Sequence, residues 1–281
     1  MKENKEKQDE VKKILALKIA DQIGDRQTLN DIEKFHQSTS WQIPYRWGFS
    51  SEVFKWEKLV EFKDSLPAYP LASINTPPSY EVSYFKNGKS VRNFDKKKEI
   101  TKKLFFNLLC KAFGRFKGLG SKNYPSAGGL YPVIPIVIIF SELAVEGLKK
   151  GVYVYDSTNY RLLLIEKIDD EHNYSLITKN INSTFPGQIL SNICFAYAID
   201  IEKAILKYGR RGYRHALIEL GLVAECLHLS YQQDDDILGD CVWSGFNDNA
   251  LTVACGLNPR LMPISLVQWF GLKTKGEKFD V

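Results

Sequence analysis

Pro125-Ser126-Ala127-Gly128-Gly129-Leu130-Tyr131-Pro132 runs directly into the apolar stretch Val133 to Phe140. No other feature constrains the fold as tightly, because a loop of small residues must feed a buried strand. Two consecutive glycines carry no Cβ, so the backbone there can lie against a large planar group. Ser126 adds a hydroxyl that can donate or accept. A tight turn before a strand is the plain alternative for the same residues. Pro135 has no N–H to give a neighbouring strand, so it demands an edge position or a bulge.

The chain of 281 residues suffices for one large domain or two small ones, with a sizeable core. Its 44% hydrophobic and 25% charged content is that of a globular protein rather than a disordered or membrane-spanning one. The formal charge of +5 is too small and too dispersed to argue for nucleic acid, yet it suits a protein holding an anionic cofactor. Cys110, Cys194, Cys226, Cys241 and Cys255 form no Cys-x-x-Cys pair and mostly sit in apolar runs. They read as buried free thiols in a reducing compartment, without a zinc site. His36, His172, His215 and His228 lack metal-ligand spacing, so no metal is expected. Met1 to Lys13 is polar and of mixed charge, and no signal-peptide core or bilayer-spanning run follows. A cytoplasmic protein with neither membrane nor nucleic-acid partners is expected.

Residues 1 to about 66 read as largely helical, with Val11, Ile14, Leu15, Ile19 and Ile23 on one face and Gly24 as a stop. Pro67, Pro70, Pro77 and Pro78 mark a boundary, giving an N-terminal helical extension over 1–78 and a main domain over 79–281. Ile100 to Phe113 repeats at helical spacing. Val152 to Tyr155 and Arg161 to Ile165, joined by Asp156 to Asn159, read as a hairpin, and Cys194 to Ile199 as a strand. A helical region from about Glu202 to Gln233 should break near Gly209 to Gly212. Its buried face is expected to carry Ala216, Leu217, Leu220, Val223, Ala224, Leu227 and His228. A final strand follows Pro263. The pattern is α+β around one mixed sheet.

Three further segments could serve the glycine loop. Lys89-Ser90-Val91-Arg92 offers a hydroxyl and a planar guanidinium to a phosphate, or else is a solvated basic surface. Lys207-Tyr208-Gly209-Arg210-Arg211-Gly212-Tyr213-Arg214 spaces its cations as a helical stripe. Such a stripe can face an anion or shift the pKa of a neighbouring lysine or phenol, and it can equally be an exposed basic face. Trp243-Ser244-Gly245-Phe246-Asn247-Asp248 lets backbone amides approach a ligand, or forms a turn held by Asn247 and Asp248.

In order and spacing these segments resemble the nitroreductase-fold flavoproteins, and more narrowly the SagB-type, McbC-like thiazole/oxazole-forming peptide dehydrogenases. Pro125 to Pro132, Gly151 to Asp156, Lys207-Tyr208, Arg211 to Arg214, Glu219-Leu220-Gly221, Ser244 to Asp248 and Phe270-Gly271 carry the resemblance, which covers about Ser83 to Gly271. Phe35-His36 extends it, less specifically, to the N-terminus. The resemblance implies an α+β nitroreductase-like fold and a homodimer with FMN at the subunit interface. It assigns Lys89, Ser90, Arg92 and Arg214 to the cofactor's phosphate and charged parts. Ser126, Ala127, Gly128 and Gly129 would line the flavin, and Ser244 and Gly245 would bring N–H groups to its reactive edge. Lys207 and Tyr208 would be the catalytic pair.

The reaction so implied is oxidation of peptide thiazolines or oxazolines to azoles, with oxygen as the final acceptor, in making a microcin-like peptide. A cyclodehydratase, a leader-binding subunit and a precursor rich in Cys, Ser and Thr would be the partners. An NAD(P)H-dependent reductase and a non-catalytic scaffold subunit are the alternatives. The sequence departs from the family pattern at Gly88, where an arginine is usual, at the acidic run Asp234-Asp235-Asp236, and at Pro135.

Overall fold

The computed structural model describes residues 26–40, 90–116, 120–183, 185–232 and 237–274. The expected helix over Val11 to Ile23, the proline-marked boundary at 78, Gly88, Lys89 and the acidic run lie outside them.

Six strands form one sheet: β1 Val133–Ile139, β2 Gly151–Asp156, β3 Arg161–Lys167, β4 Ile193–Ile199, β5 Leu238–Trp243 and β6 Ile264–Leu272. Their order is β3-β2-β1-β4-β6-β5. The α+β reading holds, but the sheet is not mixed: all five ladders are antiparallel. β5 was not legible as a strand, because Leu238 to Trp243 includes Gly239 and Asp240 in place of a clean apolar alternation.

The helices are α1 Arg26–Thr39, α2 Lys102–Phe113, α3 Glu171–Ile181, α4 Ile201–Tyr208, α5 Arg210–Gln232 and α6 Asp248–Ala254. Successive strand residues point to opposite faces, and β1 and β4 use both faces. Val133, Val137, Phe195, Tyr197 and Ile199 join a core with α2, α4 and α5. Ile136, Ile138, Cys194, Ala196 and Ala198 join a second core with α3 and α6. β4 is buried throughout, as a central strand covered on both faces must be.

Pro135 is accommodated by register. β1 pairs with β4 from Val133 onward, but with β2 only from Ile136. Pro135 therefore sits where β1 has one neighbour, the local edge that a missing N–H requires. Thr101 caps α2 by accepting from the Leu104 N–H, so Ile100 stays outside the helix. α1 packs on α4 and α5. There His36 Nδ1 lies 2.5 Å from the Tyr213 hydroxyl and Arg210 pairs with Asp31, while Gln37 exchanges amide hydrogen bonds with Asn249 of α6.

Candidate functional site

The site grows from an elbow between α4 and α5. Asp200 starts α4 by accepting from the Lys203 N–H at 3.0 Å. The helix ends at Tyr208, and Gly209 turns the chain at φ +52°. α5 then packs so closely on α4 that a Cβ at Gly212 would stand 1.9 Å from the Ala204 carbonyl oxygen. The two glycines thus make the break expected near 209–212. They also divide the basic stripe: Lys207 ends one helix, while Arg210, Arg211 and Arg214 begin another. Arg210 is engaged by Asp31, and Arg214 is exposed.

The glycine loop reaches this elbow. Residues 127–129 form a single 3-10 turn, with Gly128 at φ +63°. A Cβ on Gly128 would lie 2.8 Å from the Tyr208 hydroxyl and 3.1 Å from both Cδ and Nζ of Lys207. The loop and the Lys207–Tyr208 pair, 80 residues apart in sequence, are therefore in contact, and the positive φ of Gly128 favours glycine there. Among the described residues, nothing lies within 4 Å of the Cβ position of Gly129, which leaves a bare strip of backbone. The Lys207 ammonium lies 5.4 Å from the Tyr208 ring centroid. His215 of α5 stands edge-on to that ring at 5.0 Å, and its Nδ1 is buried without a hydrogen-bond partner among the described residues.

Beneath the loop lies a polar cluster that sequence reasoning did not assign. Glu219 of α5 is only 3% exposed. Its carboxylate accepts from the Val133 N–H at 3.3 Å and from the Ser126 hydroxyl. The same hydroxyl accepts from the Tyr131 N–H at 2.8 Å. Lys203 donates to the Tyr131 carbonyl at 3.0 Å. Tyr131 itself is held at φ +51°, unusual outside glycine, with the Arg115 guanidinium over its ring. Lys122 is buried against the Tyr124 hydroxyl at 3.0 Å. Burial, reinforced by Arg115 and Lys203, lowers its pKa to about 8 although Glu219 pulls the other way. Burial also raises the Glu219 carboxyl, against the hydrogen bonds from Ser126 and Val133 and the charges of Lys122 and Lys203. Glu219 falls in the Glu219-Leu220-Gly221 signature, and its place on the helical face beside Ala216 and Val223 was the available signal.

The other expected cofactor residues lie elsewhere on the sheet. Val91 donates to the Asp240 carbonyl at 2.8 Å, which lays Ser90 and Arg92 along the outer edge of β5. Both side chains belong to exposed residues near Cys241, whose thiol burial pushes up, opposed by Arg92 and a Ser90 hydrogen bond. β5 is held in turn by Asp240, which bonds His228, Tyr231 and Gln268. His228 therefore serves this network instead of an apolar face. Leu217, also expected to be buried, is 40% exposed. Two thiols are likewise less covered than expected, since Cys110 and Cys226 are only half-buried.

Ser244 and Gly245 follow β5. The Gly245 carbonyl accepts from the Trp243 indole at 2.9 Å and from the Ser183 N–H and hydroxyl. Asn247 caps α6 by accepting from the Ala250 N–H at 3.2 Å, so the turn reading of that stretch also holds. The start of β1, the end of β4, the start of β6 and the end of β5 lie at one end of the sheet. The glycine loop, the elbow and Ser244 therefore share that end.

No family model matches the chain. The microcin B17-processing protein McbC of Escherichia coli is 29% identical over 180 residues, which cover 64% of this chain. That alignment spans 65% of McbC, just under two thirds of its length. The fold matches a chain of the E. coli microcin synthetase McbBCD complex with truncated pro-MccB17 bound, at a TM-score of 0.72 and 25% identity, over 90% of this chain and 95% of that one. This chain resembles McbC in both sequence and fold. A "putative nitroreductase" structure from Ralstonia eutropha JMP134 matches over 67% of this chain and 80% of that one, with a TM-score of 0.54 and 19% identity, and shows the nitroreductase-like fold. Among the described residues no helix is long and apolar enough to cross a membrane, and no three His, Cys, Asp or Glu side chains group to hold a metal ion.

Proposed function

We propose that the protein is an FMN-dependent dehydrogenase that oxidises peptide azolines to azoles. The observation that carries this reading is the contact of Lys207 and Tyr208 with Gly128. It puts an amine and a phenol beside a backbone strip bare enough to accept a flat ring. The donor set fits a flavin mononucleotide. Gly128 and Gly129 offer backbone without side chains, Ser126 and Ala127 line the same turn, and Ser90 and Arg92 present a hydroxyl and a guanidinium to a phosphate. Lys89, Arg214, Ser244 and Gly245 complete the set by family resemblance.

Bound FMN supplies a two-electron acceptor, the redox chemistry that side chains lack. The protein's own task is to orient the ring and remove a proton. Lys207 and Tyr208 act on the acidified ring carbon as a joint base, the amine and phenol sharing the proton. Positioned general-base catalysis of this kind contributes about 10²–10⁴-fold. Oxygen is the final acceptor in this reading.

The homodimer is part of the proposal. Leu217, Ile218, Leu222 and Leu229 on α5 are 38–58% exposed. They fall within an arc of about 140° at 100° per residue, which they share with the exposed Arg211, Arg214 and Glu225, a mixed face suited to a second copy. Ser90 and Arg92 lie along the outer edge of β5, four strand spacings or about 19 Å from β1, so the two groups can reach one cofactor from two copies. The likeness to McbC and to the McbBCD complex supports a cyclodehydratase, a leader-binding subunit and a Cys/Ser/Thr-rich precursor as cytoplasmic partners.

The test is mass spectrometry of an azoline-bearing peptide incubated with the FMN-loaded protein. Loss of two hydrogens per ring is expected. An unchanged mass, together with rapid bleaching of the flavin by NAD(P)H, would assign the protein to the reductases instead.

A further inference from the structure

We infer that Glu219 is the positioning residue of the site: its carboxylate fixes the glycine loop against Lys207 and Tyr208. The inference deepens the reading above and rests on it for its catalytic consequence.

The carboxylate holds the loop at both ends. On the entry side it accepts from the Ser126 hydroxyl, which itself accepts from the Tyr131 N–H at 2.8 Å. On the exit side it accepts from the Val133 N–H at 3.3 Å, where β1 begins. Everything between these ties, including Gly128, is a closed span of chain anchored to one atom group on α5. Other contacts share the restraint: Lys203 donates to the Tyr131 carbonyl, the Lys122 N–H donates to the Tyr131 hydroxyl, the Asp200 N–H donates to the Pro132 carbonyl at 3.0 Å, and the Arg115 guanidinium covers the Tyr131 ring. Among the described residues nothing lies within 4 Å of the Cβ position of Gly129, so that part of the span depends on the ties at its ends. The span also contains a positive-φ tyrosine, a conformation that persists only where surroundings impose it.

Charge argues for the same role. Glu219 is the acidic side chain acting on Lys122, and it joins Asp200 in acting on Lys203, the second cation packed under the loop. An ionised carboxylate offers two oxygens as acceptors and no donor, so it serves Ser126 and Val133 together while partly offsetting the charge of Lys122. A neutral amide of the same shape keeps one acceptor oxygen, presents an N–H₂ group to the lysines, and removes the carboxylate that acts on Lys122, while Lys203 keeps Asp200. The same helix that carries Glu219 is joined through Gly209 to the helix carrying the reactive pair. One residue thus sets the loop's distance from the pair without touching substrate or cofactor.

Hydrogen exchange on the ligand-free protein tests this with Glu219→Gln and the conservative Glu219→Asp. In Glu219→Gln the Tyr131 and Val133 amides should exchange about 10-fold faster or more, while β4 amides keep the wild-type rate. Glu219→Asp should recover part of that protection. If Glu219→Gln fails to fold, Ser126→Ala replaces it, and the Tyr131 amide alone should speed up. Unchanged exchange at both amides overturns the brace, as does a uniform increase across the sheet.

This arm needs neither flavin nor peptide, so it decides the brace by itself. Wild-type turnover of the azoline peptide separately decides the reading beneath it. With an active wild type, Glu219→Gln should lower kcat about 10–100-fold with KM for peptide within about two-fold, as for a supporting residue behind a reactive group. An unchanged kcat, or a loss confined to KM, overturns the positioning role.

Discussion

Lys122 shows how sharply single side chains are tuned near this site. Its ammonium meets a phenol and two like charges, and the one nearby carboxylate does not compensate. The folded protein therefore binds that proton less tightly than the unfolded chain, with the pKa at about 8 instead of 10.5. Between those two values the unfolded state holds more protons, so this group's contribution to stability increases as pH rises from about 8 to 10.5. Below pH 8 the charged form carries its full burial penalty. Lys122→Met should raise the melting temperature at pH 7, and the advantage should shrink as pH approaches 10.5. Thermal melts of both proteins across pH 7–10.5 check this; parallel curves would contradict it.

At this scale the sequence was partly legible. Glycines announce themselves, and Gly128 was readable as a place of close approach. What approaches it is a matter of tertiary contact, as is the reason Glu219 is buried. A glutamate beside Ala216 and Val223 on a helical face does not reveal the two loop ends it will bind.

Among the elements, the elbow between α4 and α5 matters most. Helix propensity alone favours alanine over glycine at position 212 by about 1 kcal/mol. The 1.9 Å approach of an added Cβ to the Ala204 carbonyl opposes that and is the larger effect, because backbone must move to relieve it. Gly212→Ala should therefore cost about 2–4 kcal/mol, measured by urea denaturation. A stabilised variant would mean that the elbow is not rigid. The break was legible because glycines mark it.

The partners of the basic run were not legible, since the spacing of its cations does not reveal that Arg210 pairs with Asp31 and Lys207 meets the glycine loop. Leu217 failed for a related reason. Apolar periodicity cannot separate a residue facing the core from one on the outer surface, and Leu217 lies on an exposed arc with Ile218 and Leu222. α3 and α6 were not anticipated. Both are short, and each depends on an N-terminal cap, at Asp170 and Asn247, and on packing with the other over the sheet.

At the scale of the whole molecule, an antiparallel sheet gathers the ends of four strands at one end, and the glycine loop, the elbow and the Ser244 turn meet there. Alternating helices and strands suggested mixed pairing. The structure instead makes every ladder antiparallel, because β4 and β6 pair across the intervening α4, α5, β5 and α6. The sheet is what brings residue 128 to residue 207, a proximity that no local pattern contains. The account stands on what that proximity does, and one measurement addresses it directly. Lys207→Ala and Tyr208→Phe are purified with bound flavin quantified by absorbance, and azole formation is followed by mass spectrometry against the wild type. The account predicts wild-type flavin content and azole formation reduced by about 10²-fold or more in each variant. Full azole formation in both variants, with flavin retained, would contradict it.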